Sequence, residues 1–358
     1  MTVATKLPPM RETDYQSRHI DLDIPALGPD VKTWYAGKNV PPLFIQPADS
    51  KLATSFAAFD AWLAEHQSQI DDAIFEYGAV MFRGFPVTSA SEFDQLMSHF
   101  PRFDEGYVGG MSPRKTVEGK VLESTRLDQN FKIILHSEMA YMKAYPARIA
   151  LFSKTTAPVG GSTTLGSMDE FMARMPADLR AKLEKHQTVV VRSFAPKGAS
   201  QGKDSVDHPG NIGWDSAFFT DDKAEVERLC EERGMEYRWN DDGSLTLKEI
   251  KSTFTKHPRD GTPYYRTNLH TNNSFQRAGF GDVEAAVLAR QKEPIGHFLD
   301  NGEMLTEQET QTILDLYDQI ELAWQWQDGD VAIADNLKVA HGRNPFEGPR
   351  EVLVCLLK

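Results

Sequence analysis

The chain is short of cysteine, of positive charge and of long apolar runs, and each shortage removes a class of protein. Its two cysteines, Cys230 and Cys355, fall in different elements without metal spacing, so a disulfide framework is excluded as the source of stability and a reducing compartment suits the chain. Acidic residues outnumber basic ones by 52 to 39, for a formal charge of −13. Such a surface gains little from releasing phosphate counterions, which argues against nucleic acid or anionic membrane as a general partner; a local basic pocket for a small acid stays compatible with it. No apolar run reaches 18 residues, and Met1 to Tyr15 lacks an apolar signal core, so the expected location is the cytoplasm.

What remains is an ordinary globular composition, 40% hydrophobic and 25% charged over 358 residues. Residues 1–47 carry seven prolines and little periodicity, and are expected to form an arm lying over the domain rather than part of its core. A single domain is expected over 48–358. It opens with helical spacing of Leu52, Phe56, Phe59, Trp62, Leu63, Ile70 and Ile74, stopped by Gly78. Residues 79–82 read as a buried strand closed by Arg83-Gly84-Phe85, with Arg83 structural. Capping boxes begin at Ser89, Ser167 and Thr306, and a further helix is expected from about Asp282. Residues 188–194 read as a strand, and residues 351–357 are apolar enough for a central one. The polar stretch of about 195–265, with a helix over 221–233 and a hairpin around Asn240-Asp241-Asp242-Gly243, reads as a lid-like insertion.

The chemistry concentrates in Ile134-Leu135-His136-Ser137-Glu138. In an extended strand, residues two apart leave the same face, so His136 and Glu138 are expected to converge on one point as metal ligands. The same pattern at His19-Ile20-Asp21 sits in the polar leader and reads as surface. An iron that must also bind a chelating cosubstrate and dioxygen needs two His and one carboxylate, leaving three positions open. The second His is sought in GDVAIADNLKVAHGR, where His341 lies 205 residues beyond His136. His257 and His270, among polar neighbours, read as surface or supporting residues. The Gly- and Arg-rich passage ahead of His136 is a candidate substrate loop, in which Arg114, Lys115 and Arg126 could grip a carboxylate.

Together, LHSEMAYMKAYPARIALF, the turn Gly160-Gly161-Ser162-Thr163-Thr164, and the block GDVAIADNLKVAHGRNPFEGPREVLV resemble the Fe(II)/2-oxoglutarate-dependent oxygenases of the taurine dioxygenase (TauD/TfdA-like) superfamily. The likeness runs from about Gly78 to the C-terminus and is strongest to the natural-product branch that contains the syringomycin-pathway aspartyl hydroxylase. It implies a mostly β fold with flanking helices, a double-stranded β-helix or jelly roll of the clavaminate synthase-like type. It implies Fe(II) on His136, Glu138 and His341, with 2-oxoglutarate held by Arg350 and Thr163 and dioxygen as third reactant; Thr164 is the neighbouring alternative to Thr163, and Arg343 the structural competitor of Arg350.

Two departures matter. Taurine dioxygenase has a sulfonate-binding Arg where this chain has Val354, which puts a sulfonate substrate in doubt. Glu138 stands where much of the superfamily has Asp, as in the natural-product branch, and a carboxylate there argues against halogenation. The resemblance thus implies hydroxylation of an unactivated C–H in an amino acid or amino-acid-derived intermediate of specialised metabolism, with release of succinate and CO2. Arg126 and Asn268 are candidate substrate contacts; the substrate is free or tethered to a carrier protein, and self-association of the chain stays open. Desaturation, epoxidation or cyclisation would use the same oxidant. A zinc hydrolase or a non-catalytic binding protein on the same scaffold are the alternatives from other classes.

Overall fold

The computed structural model describes residues 18–111, 114–125, 127–199, 212–271 and 295–358; the helix expected from about Asp282 lies outside the described residues. In chain order the strands are β1 (Ile20–Leu22), β2 (Val31–Tyr35), β3 (Leu43–Pro47), β4 (Ala79–Phe82), β5 (Thr116–Glu118), β6 (Val121–Glu123), β7 (Ile133–His136), β8 (Arg148–Thr155), β9 (Val159–Gly160), β10 (Thr163–Ser167), β11 (Gln187–Phe194), β12 (Glu236–Trp239), β13 (Leu245–Ser252), β14 (Phe254–Lys256), β15 (Pro263–Tyr265), β16 (Ile295–Leu299), β17 (Leu322–Trp324), β18 (Val331–Asp335), β19 (Val339–Arg343), β20 (Phe346–Glu347) and β21 (Glu351–Leu357). The longer helices that flank them are α1 (Ser50–Thr54), α2 (Phe56–Glu65), α3 (Gln67–Tyr77), α4 (Ala90–Met97), α5 (Met168–Arg174), α6 (Ala177–Glu184), α7 (Trp214–Phe218), α8 (Lys223–Glu232) and α9 (Glu307–Ile320). The fold is mostly β with helices around it.

A nine-stranded sheet in the order β1-β2-β3-β4-β18-β8-β21-β6-β5 faces a four-stranded sheet in the order β17-β10-β19-β7. Side chains alternate across each strand, so β8 and β21 each serve two cores. Ala150, Phe152, Leu353 and Cys355 pack with Phe59, Leu63, Ile74, Phe93 and Leu96 of the helical layer. Ile149, Leu151, Val352 and Val354 turn the other way, toward Leu165, Trp324 and Val339 of the smaller sheet. With both faces covered, β21 can be apolar throughout, as its sequence requires.

The helix expected after Asp49 is three helices. Ser55 adopts an extended backbone and its hydroxyl accepts from the Ala58 N–H, which starts α2 afresh. Gly78, at φ 77°, ends α3, and its carbonyl accepts the Asp335 N–H at 2.8 Å, tying the helix to β18. Of the three capping boxes expected, those at Ser89 and Thr306 are formed, whereas at Ser167 only the hydroxyl caps, accepting the Glu170 N–H.

The proline-rich leader is corrected by the structure. Residues 20–47 are not an arm over the domain: they supply β1 to β3, β3 pairs in parallel with β4, and Leu27, Leu43 and Ile45 are fully buried. Pro41 and Pro42 precede β3 and Pro47 closes it, positions where a missing N–H costs the ladder little. The stretch read as a lid-like insertion is also partly sheet. Its β13 pairs with β11 from Gln187↔Ser252 to Phe194↔Leu245, within a second sheet ordered β12-β13-β11-β16 that encloses its own core of Trp214, Phe218, Cys230 and Leu247. Among the described residues, no helix is long and apolar enough to cross a membrane.

Candidate active site

β19 runs antiparallel to β7 and places His341 directly opposite His136, with ring centroids 4.4 Å apart. That register brings the distant histidines together. Glu138 arrives differently from the sequence expectation: β7 ends at His136, and the chain then turns, with Met139 in the left-handed region at φ 55°. The carboxylate is delivered by this turn and not by strand alternation, and its Oε2 lies 3.6 Å from His341 Nε2. The donor atoms of His136, Glu138 and His341 all fall within 4.8 Å of one another, the one such group among the described residues.

The protonation states suit a cation. His136 Nδ1–H donates to the Ile134 carbonyl at 2.9 Å, leaving Nε2 as the free lone pair. Burial, followed by the neighbouring His341, pulls His136 down to about 4, so it is neutral near pH 7. Burial would raise Glu138, but the adjoining His341 ring and the Arg114 guanidinium outweigh that and hold it at about 2. Two imidazoles and an ionised carboxylate are a three-ligand set of the kind that holds non-haem Fe(II) with positions to spare.

The turn is pinned by residues that sequence reasoning missed. Asn336, fully buried, accepts the Glu138 N–H at 2.6 Å and donates to the carbonyls of Glu138 at 3.0 Å and Pro146 at 2.8 Å. Arg266 donates to the carbonyls of Met139 at 3.2 Å and Met142 at 2.9 Å and lies over the Tyr145 ring, and Lys251 donates to the Ala140 carbonyl at 2.6 Å. Asn336 stood in the quoted ADN block without an assigned role; Arg266 and Lys251 carried no signal. His257 and His270 lie outside the cluster, as expected, but neither is on the surface. His257 is buried with Nε2 2.9 Å from Asp335 Oδ2, and His270 is buried among Tyr265 and Tyr317. Polar sequence neighbours do not report tertiary burial.

Between the two sheets, a cavity of about 340 Å³ is lined by the three donors together with Thr163, Arg350 and Arg114. Thr163 and Thr164 leave β10 on opposite faces. The Thr163 hydroxyl lines the cavity and accepts from Trp326 Nε1, whereas Thr164 Oγ1 is buried with no hydrogen-bond partner. Arg350 enters at the head of β21, its Nε donating to the Gly161 carbonyl at 3.1 Å. It forms no ion pair with any described residue, and although burial and then Arg343 lower it to about 10, it stays cationic near pH 7. The Gly160-Gly161 turn that receives it has no room for a side chain: a Cβ on Gly160 would lie 2.3 Å from the Pro345 carbonyl oxygen.

The remaining expected residues divide. Arg343 is structural, donating to the carbonyls of Leu127 at 3.0 Å and of Asp128 and Phe131 at 2.8 Å. Arg83 is structural too, its guanidinium paired with Asp330 at 2.7 Å and the Gln325 carbonyl at 2.9 Å. Asn268 and Val354 line the cavity. Lys115 is exposed, with its backbone N–H and carbonyl both meeting Glu123, and Arg126 lies outside the described residues. His19 is on the surface, bonded to Asp21 at 2.8 Å.

The family model for the taurine catabolism dioxygenase TauD, TfdA family matches residues 45–356. The chain belongs to this dioxygenase family. It is an Fe(II)/2-oxoglutarate-dependent oxygenase, and the match begins within β3, upstream of the Gly78 limit of the sequence resemblance. Among its relatives are a dapdiamide synthesis protein of Enterobacter agglomerans, 29% identical over 85% of this chain and 89% of that one, and a clavaminate synthase-like protein of Arabidopsis thaliana, 30% identical over 88% and 93%. Among solved structures, PvcB of Pseudomonas aeruginosa is 14% identical and covers 95% of each chain at a TM-score of 0.49. The donor set and the unpaired Arg350 fit the family's iron and cosubstrate.

Proposed function

We propose that His136, Glu138 and His341 hold Fe(II), that Arg350 and Thr163 hold the distal carboxylate of 2-oxoglutarate, and that the two facing sheets form a double-stranded β-helix, or jelly roll, with the iron at its mouth. On this reading the enzyme hydroxylates an unactivated C–H of an amino acid or amino-acid-derived intermediate of specialised metabolism, free or tethered to a carrier protein. The observation that carries it is the shared cavity: three donors within 4.8 Å of one another and an arginine without a carboxylate partner among the described residues line the same space. A relative named for dapdiamide synthesis supports the metabolic setting.

When bound, iron and 2-oxoglutarate supply the oxidising power, with dioxygen reduced, succinate and CO2 released and one oxygen atom inserted into the substrate. The chain supplies position. Arg350 offers the free edge of its guanidinium fork to a carboxylate while Gly161 fixes its Nε, and the Thr163 hydroxyl, already accepting from Trp326, has its proton to donate. Asn268 presents a polar contact at the cavity wall, and Ile149, Leu151, Val352 and Val354 keep the wall opposite the metal ligands dry. Succinate formation by the purified chain should require Fe(II), 2-oxoglutarate and O2 together and should vanish in His341→Ala. Turnover that survives replacement of iron by zinc would contradict the proposal.

A further inference from the structure

Arg114 is a buried cation for which the oxygenase reading has no use. Its side chain is 11% exposed and, among the described residues, its Nε is buried with no hydrogen-bond partner and the acid paired with it, Glu138 Oε2, is 4.0 Å away, beyond hydrogen-bond length. Its guanidinium lies over the Tyr107 ring, 5.0 Å from the centroid, which fixes the plane of the fork. Tyr107 Oη, which faces Glu138, is likewise buried without a hydrogen-bond partner within reach among the described residues. Tyr141 Oη accepts the Met111 N–H at 3.1 Å, so its own proton is free to donate. Arg114, Tyr107 and Tyr141 all line the cavity that holds the metal ligands. A phenol is a neutral donor near pH 7.

Three unspent donors, one of them charged, in a largely dry wall are costly unless an anion completes them. Glu138, 4.0 Å from Arg114, has at most one oxygen left once the other holds a metal, and one oxygen cannot complete all three donors. Nor does the cosubstrate need this group, because Arg350 stands separately, against Gly161 and Phe346 at the head of β21. We infer that Arg114, Tyr107 and Tyr141 form a carboxylate cradle for the substrate, which is therefore an organic acid whose carboxylate docks beside Glu138 and whose oxidised carbon lies a short chain away. This rests on the oxygenase reading for what is done to the acid, but not for its binding.

The test uses the full chain loaded with Co(II) and saturating 2-oxoglutarate, with sodium propionate as probe and propionamide as its uncharged counterpart at constant ionic strength. Paramagnetic relaxation of the probe's protons reports saturable binding near the metal. The expected result is relaxation of propionate but not propionamide, weakened at least tenfold in Arg114→Gln and several-fold in Arg114→Lys and Tyr107→Phe, with Co(II) absorption and thermal unfolding unchanged in the two conservative variants. Equal relaxation of propionate and propionamide, none of either, or propionate binding that is lost in Arg350→Ala but kept in Arg114→Gln overturns the cradle. Loss of Co(II) itself in Arg114→Lys also overturns it, in favour of a positioning role on Glu138. Because cobalt needs only the three side chains, this outcome is read independently of whether iron and 2-oxoglutarate support turnover.

Discussion

Asn336→Ala is the sharpest perturbation of the metal turn that leaves the ligands themselves in place. The side chain makes three buried hydrogen bonds, to both backbone groups of Glu138 and to the Pro146 carbonyl. At about 1 kcal/mol net per bond, and more where a buried backbone group is left unpaired, the loss is about 3 to 5 kcal/mol. A second effect is local. Met139 sits at φ 55°, a conformation that non-glycine residues hold only when their surroundings impose it. Without Asn336 the turn should relax and carry Glu138 off the point shared with the histidines, weakening the metal by about tenfold to a hundredfold, the usual effect of removing a ligand's support. Asn336→Asp should be no better, since a carboxylate would face two carbonyl oxygens. Denaturant unfolding of the metal-free protein measures the first effect, and a Co(II) titration under folded conditions the second. A stability loss below about 1 kcal/mol, or unchanged metal affinity in a destabilised variant, would refute the role given to the turn.

Other consequences follow from the strands around the cavity. Thr163→Val should raise the 2-oxoglutarate requirement for succinate formation about tenfold, a charged hydrogen bond's worth, whereas Thr164→Val removes an unpartnered buried hydroxyl and should leave that requirement unchanged while stabilising the fold by about 1 kcal/mol. Gly342→Ala would put a Cβ 2.5 Å from the Ile133 carbonyl oxygen and 2.7 Å from Thr164 Oγ1, prising β19 from β7, so a loss of about 1 to 3 kcal/mol in unfolding experiments and impaired metal binding are expected. His270 and His297 are each held at about 3, chiefly by burial, against about 6.5 when unfolded. Between those values the unfolded chain binds more protons, so stability is full above about pH 6.5 and falls as pH drops toward 3. Urea midpoints across pH should show this acid limb, and His270→Gln with His297→Gln should flatten it.

Much of the site was legible because the chemistry left dense local signals. His136, Glu138, Thr163, His341 and Arg350 each lie in a short block whose residue types the family shares, and the structure gathers all five on one cavity. His136 and Glu138 were expected to converge through strand alternation, yet the strand stops at His136 and the turn does the work. What holds that turn was not legible, because Asn336 acts on a residue 198 positions away, Lys251 reaches it from β13 and Arg266 from just beyond β15. The same limit hid β1 to β3, whose prolines read as an arm although Leu43 and Ile45 are fully buried, and it left Arg114 indistinguishable from the exposed Lys115 as a candidate to grip a carboxylate. Composition along the chain reports local preference, and burial is decided by partners far along it.

Binding of 2-oxoglutarate on iron through Arg350 can be read by anaerobic absorption spectroscopy of the purified chain with Fe(II) and 2-oxoglutarate, in parallel with Arg350→Ala. The account predicts the weak visible charge-transfer band of a chelated 2-oxo acid in the parent, and a variant that needs at least tenfold more 2-oxoglutarate to develop it. Absence of the band with iron demonstrably bound, or a band equally easily formed in both proteins, would contradict it.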